Sequence, residues 1–362
     1  MTDSGQADEA VRQATTSLIF GFAFSQVCGT LSRLGIPEAF GEADGTDGDR
    51  AGEDGTRSVD ALALATGSDP GALRRLLRGG AALGLLAPRG GGRFALTPLG
   101  RAFRDGPAPR ALAALYGDPD VWRAYGALED SVRDGKPAYE LANGVGLYED
   151  LAAGGPLAAR FHTAMSLVTA AQTPVIVGHY DFGRFARVVD VGGGDGTLLA
   201  AVLTAHPGVR GTLVETGAAL RAAQTALDAA GLTGRCETVE GDFLASVPPG
   251  GDAYVLKNIL HNFDDAACVR ILRNCREAAR PGGRVVVPTL VLPDESGELT
   301  GGLEEAALMA LSDIEMMVLT PGRERTLAEH VGLFGDAGLE LAATVTLPGL
   351  PGHAVLEARP AR

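Results

Sequence analysis

The run Val188-Val189-Asp190-Val191-Gly192-Gly193-Gly194-Asp195-Gly196-Thr197 constrains this chain more than any other stretch. An apolar strand meets a turn of glycines, and the turn opens a helix. Glycines admit positive φ and a close approach of ligand to backbone, while the first turn of a helix offers unpaired N–H groups to an anion. Strand, turn and helix in that order begin a βαβ unit, the building block of a parallel sheet covered by helices. The following sequence keeps that grammar. Strands are predicted at 187–191, 212–215, 237–240, 253–256 and 284–292, alternating with helices that end near Ala205, Ala230 and Ala279. A last helix at 327–337 precedes strands at 340–347 and 353–358, and the short link from Pro348 to Gly352 predicts an antiparallel hairpin at the sheet edge. The fold class is α/β.

Two details narrow the ligand. In a G-x-G-x-x-G fingerprint counted from Gly192 the third glycine falls on Thr197, so the dinucleotide signature is imperfect. An acid, Asp190, precedes the turn; it disfavours a pyrophosphate but suits a ligand with both an ammonium and a carboxylate. S-adenosylmethionine has both, together with a sulfonium. The second strand ends in Glu215, where an acid accepts hydrogen bonds from ribose hydroxyls. The third ends at Gly241-Asp242-Phe243, placing an aspartate for an adenine amino group and a ring for its face.

The front of the chain reads as helical. A helix at 15–34 carries Leu18, Phe22, Val27, Leu31 and Leu34 and stops at Gly35-Ile36-Pro37. Residues 41–57, acidic and glycine-rich, predict a surface loop. Ser58 caps a helix at 59–66, Asp69-Pro70 opens a second, and 85–87 with 93–96 form a hairpin across Gly90–Gly92, which together is the layout of a winged helix. From 121 to 178 the pattern is helical again, with Trp122, Tyr125 and Leu128 on one face. Two domains follow, residues 1–178 and 179–362, in line with 362 residues at roughly 150 per domain.

Composition excludes several classes. A net charge of −14 opposes a general grip on nucleic acid or an anionic membrane. The four cysteines and six histidines are scattered, so neither a disulfide framework nor a metal site is expected. The acidic N-terminus is unlike a signal peptide, and no apolar run is read as reaching the ~18 residues a membrane span needs, so the expected location is the cytoplasm. Basic charge is almost all arginine; the lysines are Lys136 and Lys257 alone.

With these residues in view the chain resembles the S-adenosylmethionine-dependent small-molecule O-methyltransferases, a family of plant caffeate and flavonoid enzymes and bacterial antibiotic-tailoring ones, the last being nearest. The resemblance is carried by Val189–Gly196, Gly241-Asp242-Phe243, the block from Leu256 to Asp265, Arg280-Pro281-Gly282-Gly283-Arg284 and Gly322-Arg323-Glu324-Arg325-Thr326. It extends to the front at Leu73–Leu86, Leu96–Gly100 and Phe161–Met165. It implies a seven-stranded Rossmann-like sheet with a reversed last strand, behind a winged-helix-like dimerisation domain, in a homodimer joined through the N-terminal helices. It places Gly192, Glu215, Asp242, Phe243 and Lys257 at S-adenosylmethionine, His261 as general base with Glu324 orienting it, and Phe161, Met165, Asn262 and Met316 around a small aromatic acceptor. No metal is implied. In the family a second acid flanks the histidine; Thr289 stands at that place.

The reaction expected is methyl transfer to a hydroxyl of a small aromatic natural product of polyketide type. A histidine, with an ordinary pKa near 6.5, suits removal of the hydroxyl proton. Thr289 leaves two alternatives open, N- or C-methylation and a reaction without methyl transfer such as hydroxylation, decarboxylation or cyclisation. A third reading, a DNA-binding regulator that senses the cofactor, rests on the locally basic stretch from Ser58 to Asp105, with Arg74, Arg75 and Arg78 on one helix.

Overall fold

The computed structural model describes residues 3–41, 55–294 and 303–362. The chain forms two compact units, one comprising Met1–Trp122 with Gly155–Leu167, the other Arg123–Gly154 with Val168–Arg362.

In the first unit a helix spans Asp3–Arg33 and ends before Gly35, whose φ of 69° only glycine adopts freely. It starts well before the predicted residue 15. Strand β1 (Thr56–Ser58), missed in the sequence, pairs antiparallel with β3 (Arg93–Leu96), which in turn pairs with β2 (Leu86–Pro88). The helix Val59–Thr66 begins where expected because the Ser58 hydroxyl accepts from Ala61 N at 3.1 Å, and Asp69 caps Pro70–Ala82 in the same way through Ala72 N. Leu31, Ile36, Leu62, Leu73, Leu77 and Phe94 form this unit's core. The expected surface loop at 41–57 falls for the most part outside the described residues.

The long helix departs from the sequence reading in another respect. Ala14–Arg33 is long and apolar enough to cross a membrane by length and composition. Leu18, Ile19, Phe20, Phe22 and Phe24 are exposed on it, Leu18 at 82%.

The second unit holds the sheet, with strands β4 (Arg187–Val191), β5 (Arg210–Glu215), β6 (Cys236–Glu240), β7 (Ala253–Val255), β8 (Arg284–Leu292), β9 (Arg325–Thr326), β10 (Leu339–Thr346) and β11 (His353–Pro360). Their order is β10-β11-β8-β7-β4-β5-β6. The strands from β4 to β8 run parallel, β11 is antiparallel to β8, and β10 completes the expected hairpin. Seven strands thus lie on the main path, as expected. The two-residue β9 is an addition, paired with the end of β8 at Val291↔Arg325.

Both faces are covered, and the period of two shows it. Val188 and Val286 enter one core, whereas Val189, Val191, Val285 and Val287 enter the other. Trp122 and Tyr125 sit on the helix Pro119–Gly126, but Leu128 begins the next helix, Leu128–Asp134, so the predicted common face is interrupted. A helix at Leu303–Leu319 was not anticipated.

Candidate functional site

The C-terminal ends of β4, β5, β6 and β7 bring the polar residues together, the edge where open parallel sheets bind ligands. After β4 the turn winds through Gly192, Gly194 and Gly196 at φ 68°, 59° and 78°. A β-carbon on Gly192 would lie 2.6 Å from Ile259 Cδ1 and 3.3 Å from the Phe243 ring, and the positive φ there favours glycine. Phe243 meets Phe263 edge-on, centroids 5.9 Å apart.

Asp190 is 2% exposed, and its Oδ2 has no hydrogen-bond partner among the described residues. Burial pushes its carboxyl up to about 7; Lys257 opposes this, while Glu215 and Asp195 add to it. Burial likewise brings the Lys257 ammonium down to about 8 against the pull of Asp190 and Asp195. Lys257 Nζ donates to Thr169 Oγ1 at 2.9 Å. Thr169 was missed in the sequence, although it continues the spacing of four that links Phe161 to Met165 on the helix Pro156–His179. Glu215 ends β5, and its Oε2 accepts from Thr216 N at 2.6 Å. Asp242 is exposed and accepts from Leu244 N at 2.8 Å.

The second cluster surrounds His261. After β7 the chain turns at Asn258, a non-glycine residue at φ 54°, into the short 3₁₀ helix Leu260–Asn262. His261 Nδ1 lies 3.0 Å from Glu324 Oε1, which also accepts from Ser312 Oγ at 2.9 Å. A carboxylate oxygen only accepts, so Nδ1 carries the proton and Nε2 is left as the basic nitrogen. Burial raises the Glu324 carboxyl, but the hydrogen bond and charge of His261 with the Ser312 hydroxyl more than offset it, leaving Glu324 below the usual carboxylate range. Thr289 is buried on β8, and among the described residues no hydrogen bond joins it to His261.

Two residues hold this loop from behind. Arg325, 1% exposed, donates to the carbonyls of Leu260 at 3.0 Å and Phe263 at 2.9 Å and to Asp265 Oδ1 at 2.7 Å. It ties the loop on both sides of His261. Gly322 packs so closely that a β-carbon there would stand 2.0 Å from the His261 carbonyl oxygen.

Asn262 turns back, its Nδ2 donating to Asn258 O at 3.1 Å. Met316 is buried on Leu303–Leu319. Phe161 and Met165 belong to the first compact unit, where Phe161 meets His162 edge-on. His330 and His353, not singled out in the sequence, lie within electrostatic reach of both His261 and Glu324.

Comparison with known proteins agrees with this geometry. Residues 125–340 match the model of the O-methyltransferase domain, and residues 16–105 match that of the O-methyltransferase dimerisation domain. The chain is 35% identical to O-demethylpuromycin-O-methyltransferase of Streptomyces alboniger, over 98% of this chain and 90% of that protein. The solved structure of the mitomycin 7-O-methyltransferase MmcR superposes with a TM-score of 0.88 at 31% identity, covering 99% of this chain and 100% of that one. NcsB1, an O-methyltransferase from neocarzinostatin biosynthesis solved with S-adenosylmethionine and 2-hydroxy-5-methyl naphthoic acid, gives 0.77 at 32% identity, covering 93% and 95%. Glycine turn, strand-end acids and bonded histidine thus sit on a scaffold shared along the chain: it belongs to the S-adenosylmethionine-dependent O-methyltransferase family.

Proposed function

We propose that this enzyme methylates a hydroxyl of a small aromatic natural product, with His261 as the general base. The observation that carries the base assignment is the 3.0 Å hydrogen bond from His261 Nδ1 to the buried Glu324. With its proton fixed at Nδ1, the imidazole presents Nε2 to the acceptor hydroxyl and takes its proton as the oxygen attacks. The imidazolium then faces the Glu324 charge, which stabilises it, and Arg325 keeps the loop from drifting.

S-adenosylmethionine, when bound, supplies an electrophilic methyl group on sulfur. The residues present fit it: Oδ2 of Asp190, without a partner among the described residues, is a buried acceptor suited to an ammonium, and the absence of a β-carbon at Gly192 keeps the turn open beside Phe243. Glu215 would take the ribose hydroxyls, Asp242 and Phe243 the adenine, and Lys257 the adenine or its bound water. We expect Glu215→Ala to weaken cofactor binding about tenfold, the scale of a lost hydrogen bond to a charged group. Isothermal titration with unaltered affinity would contradict the ribose role.

The acceptor is a phenol-type compound, with Met316 and Asn262 among the residues read as facing it. One carboxylate on His261, with Thr289 where a second is expected, suits a hydroxyl already acidic enough to need little help. The functional form we propose is a cytoplasmic homodimer joined through Asp3–Arg33, whose exposed Leu18, Ile19 and Phe22 suit a second copy. Under this reading the winged module serves dimerisation, the net charge of −14 opposes a nucleic-acid role, and the apolar helix meets protein instead of lipid. Demethylated cofactor, measured by liquid chromatography, is expected to accumulate only when a phenol is present. A ligand sensor would bind the cofactor and return it intact.

A further inference from the structure

The reaction outlined above does not use His330, although it is buried near the reacting histidine. It lies on the helix Leu327–Asp336, is 2% exposed, and neither ring nitrogen has a hydrogen-bond partner among the described residues. Its ring is tilted against Phe334, centroids 6.3 Å apart. Buried polar groups in folded proteins are almost always paired, with protein or with ordered water. A second such atom belongs to Glu324. Its Oε1 holds both His261 and Ser312, yet its Oε2 is buried without a partner among the described residues.

The two are tied by one short, rigid segment. Arg325-Thr326 follows Glu324 directly, and the reciprocal cap between Thr326 and Glu329 fixes the first turn of the helix that carries His330. The charged groups acting on His330 are Arg325, Glu324, Glu329 and His261. Burial and then the Arg325 guanidinium bring its ring down to about 4, which keeps it neutral around pH 7 with one N–H donor and one acceptor.

Building on the assignment of His261 as base, we propose that His330 is a positioning residue: its ring N–H, through one buried water, holds Oε2 of Glu324 and so keeps Oε1 turned to His261. A carboxylate anchored at one oxygen still rotates; anchored at both, it fixes the plane in which His261 is held.

The test starts with His330→Phe, which keeps a ring against Phe334 and removes both nitrogens. We expect kcat to fall about tenfold, as when a buried hydrogen bond to a charged group is lost. The acceptor KM stays unchanged, and the acidic limb of the kcat–pH profile moves to lower pH. His330→Gln, which restores a donor, recovers most of the loss and covers the case in which the phenylalanine variant does not fold. In a Glu324→Gln background the His330→Phe change has no further effect on kcat. In ¹⁵N-histidine spectra of the cofactor-free chain, the His261 resonances shift in the His330→Phe variant. A His330→Phe enzyme with wild-type kcat and pH profile, or an equal loss in the Glu324→Gln background, overturns the proposal. If His261→Ala retains full turnover, the base assignment and this proposal fall together; if it does not and His330→Phe is silent, only the positioning role falls.

Discussion

His261→Ala is expected to lower methyl transfer by about 10²-fold or more, the usual scale for losing a general base, while cofactor affinity stays at the wild-type value. The separation follows from the geometry. His261, on the loop after β7, bonds Glu324 just before β9, whereas Asp190, Glu215 and the glycine turn belong to the ends of β4 and β5, and Lys257, earlier on the same loop, is held separately by Thr169. Single-turnover kinetics with calorimetry in parallel measure the two quantities. Unchanged turnover would remove His261 from the reaction, and a collapse of cofactor affinity would show that the two clusters are not separable.

Gly322→Ala is expected to have an effect of the same order without touching any reacting group. The added β-carbon would stand 2.0 Å from the His261 carbonyl oxygen and 2.5 Å from both Asn262 C and Phe263 N, all backbone atoms. Arg325 holds the same loop at the Leu260 and Phe263 carbonyls, so it has no easy way to retreat. Either the loop shifts, and a displacement near 1 Å at a reacting group is worth about 10²-fold in rate, or the strain is absorbed as lost stability of about 1–3 kcal/mol. We expect kcat to drop about 10²-fold, with a lower melting temperature and cofactor affinity little altered. A variant with wild-type kcat would mean that Gly322 does not set the position of His261.

Much of this fold is legible in the sequence because local signals agree with tertiary ones. Strands β4 and β8 have the predicted bounds at both ends, being apolar runs closed by glycine or by polar residues. The helix Val59–Thr66 starts at its serine cap and ends at Gly67, whose φ is 63°. Strand β1 was missed because its three residues, Thr56 to Ser58, carry no apolar alternation and are held only by pairing with β3. The helix Leu303–Leu319 escaped because it lies between β8 and the predicted helix at 327–337, where no strand marks it off, although Met309, Met316 and Val318 are buried on it.

The candidate site divides in the same way. His261 and Glu324, 63 residues apart, were paired through family resemblance, and the structure joins them by a hydrogen bond. Residues that work from behind left weaker marks. Thr169 looks like an ordinary helical threonine until Lys257 reaches it. His330, spaced three and four from Leu333 and Phe334, reads as core, which it also is. What the sequence carries is the chemistry of the strand ends; what it hides is the packing that holds a loop in place.

The enzyme sends the methyl group to oxygen. Incubating the enzyme with S-adenosylmethionine carrying a ¹³C-methyl group and a panel of hydroxylated aromatic compounds, then recording the carbon spectrum of the product, tests it most directly. We expect labelled methyl on a phenolic oxygen, formed by the wild type and lost with His261→Ala. Label on nitrogen or carbon, or intact cofactor beside a chemically altered acceptor, would contradict it.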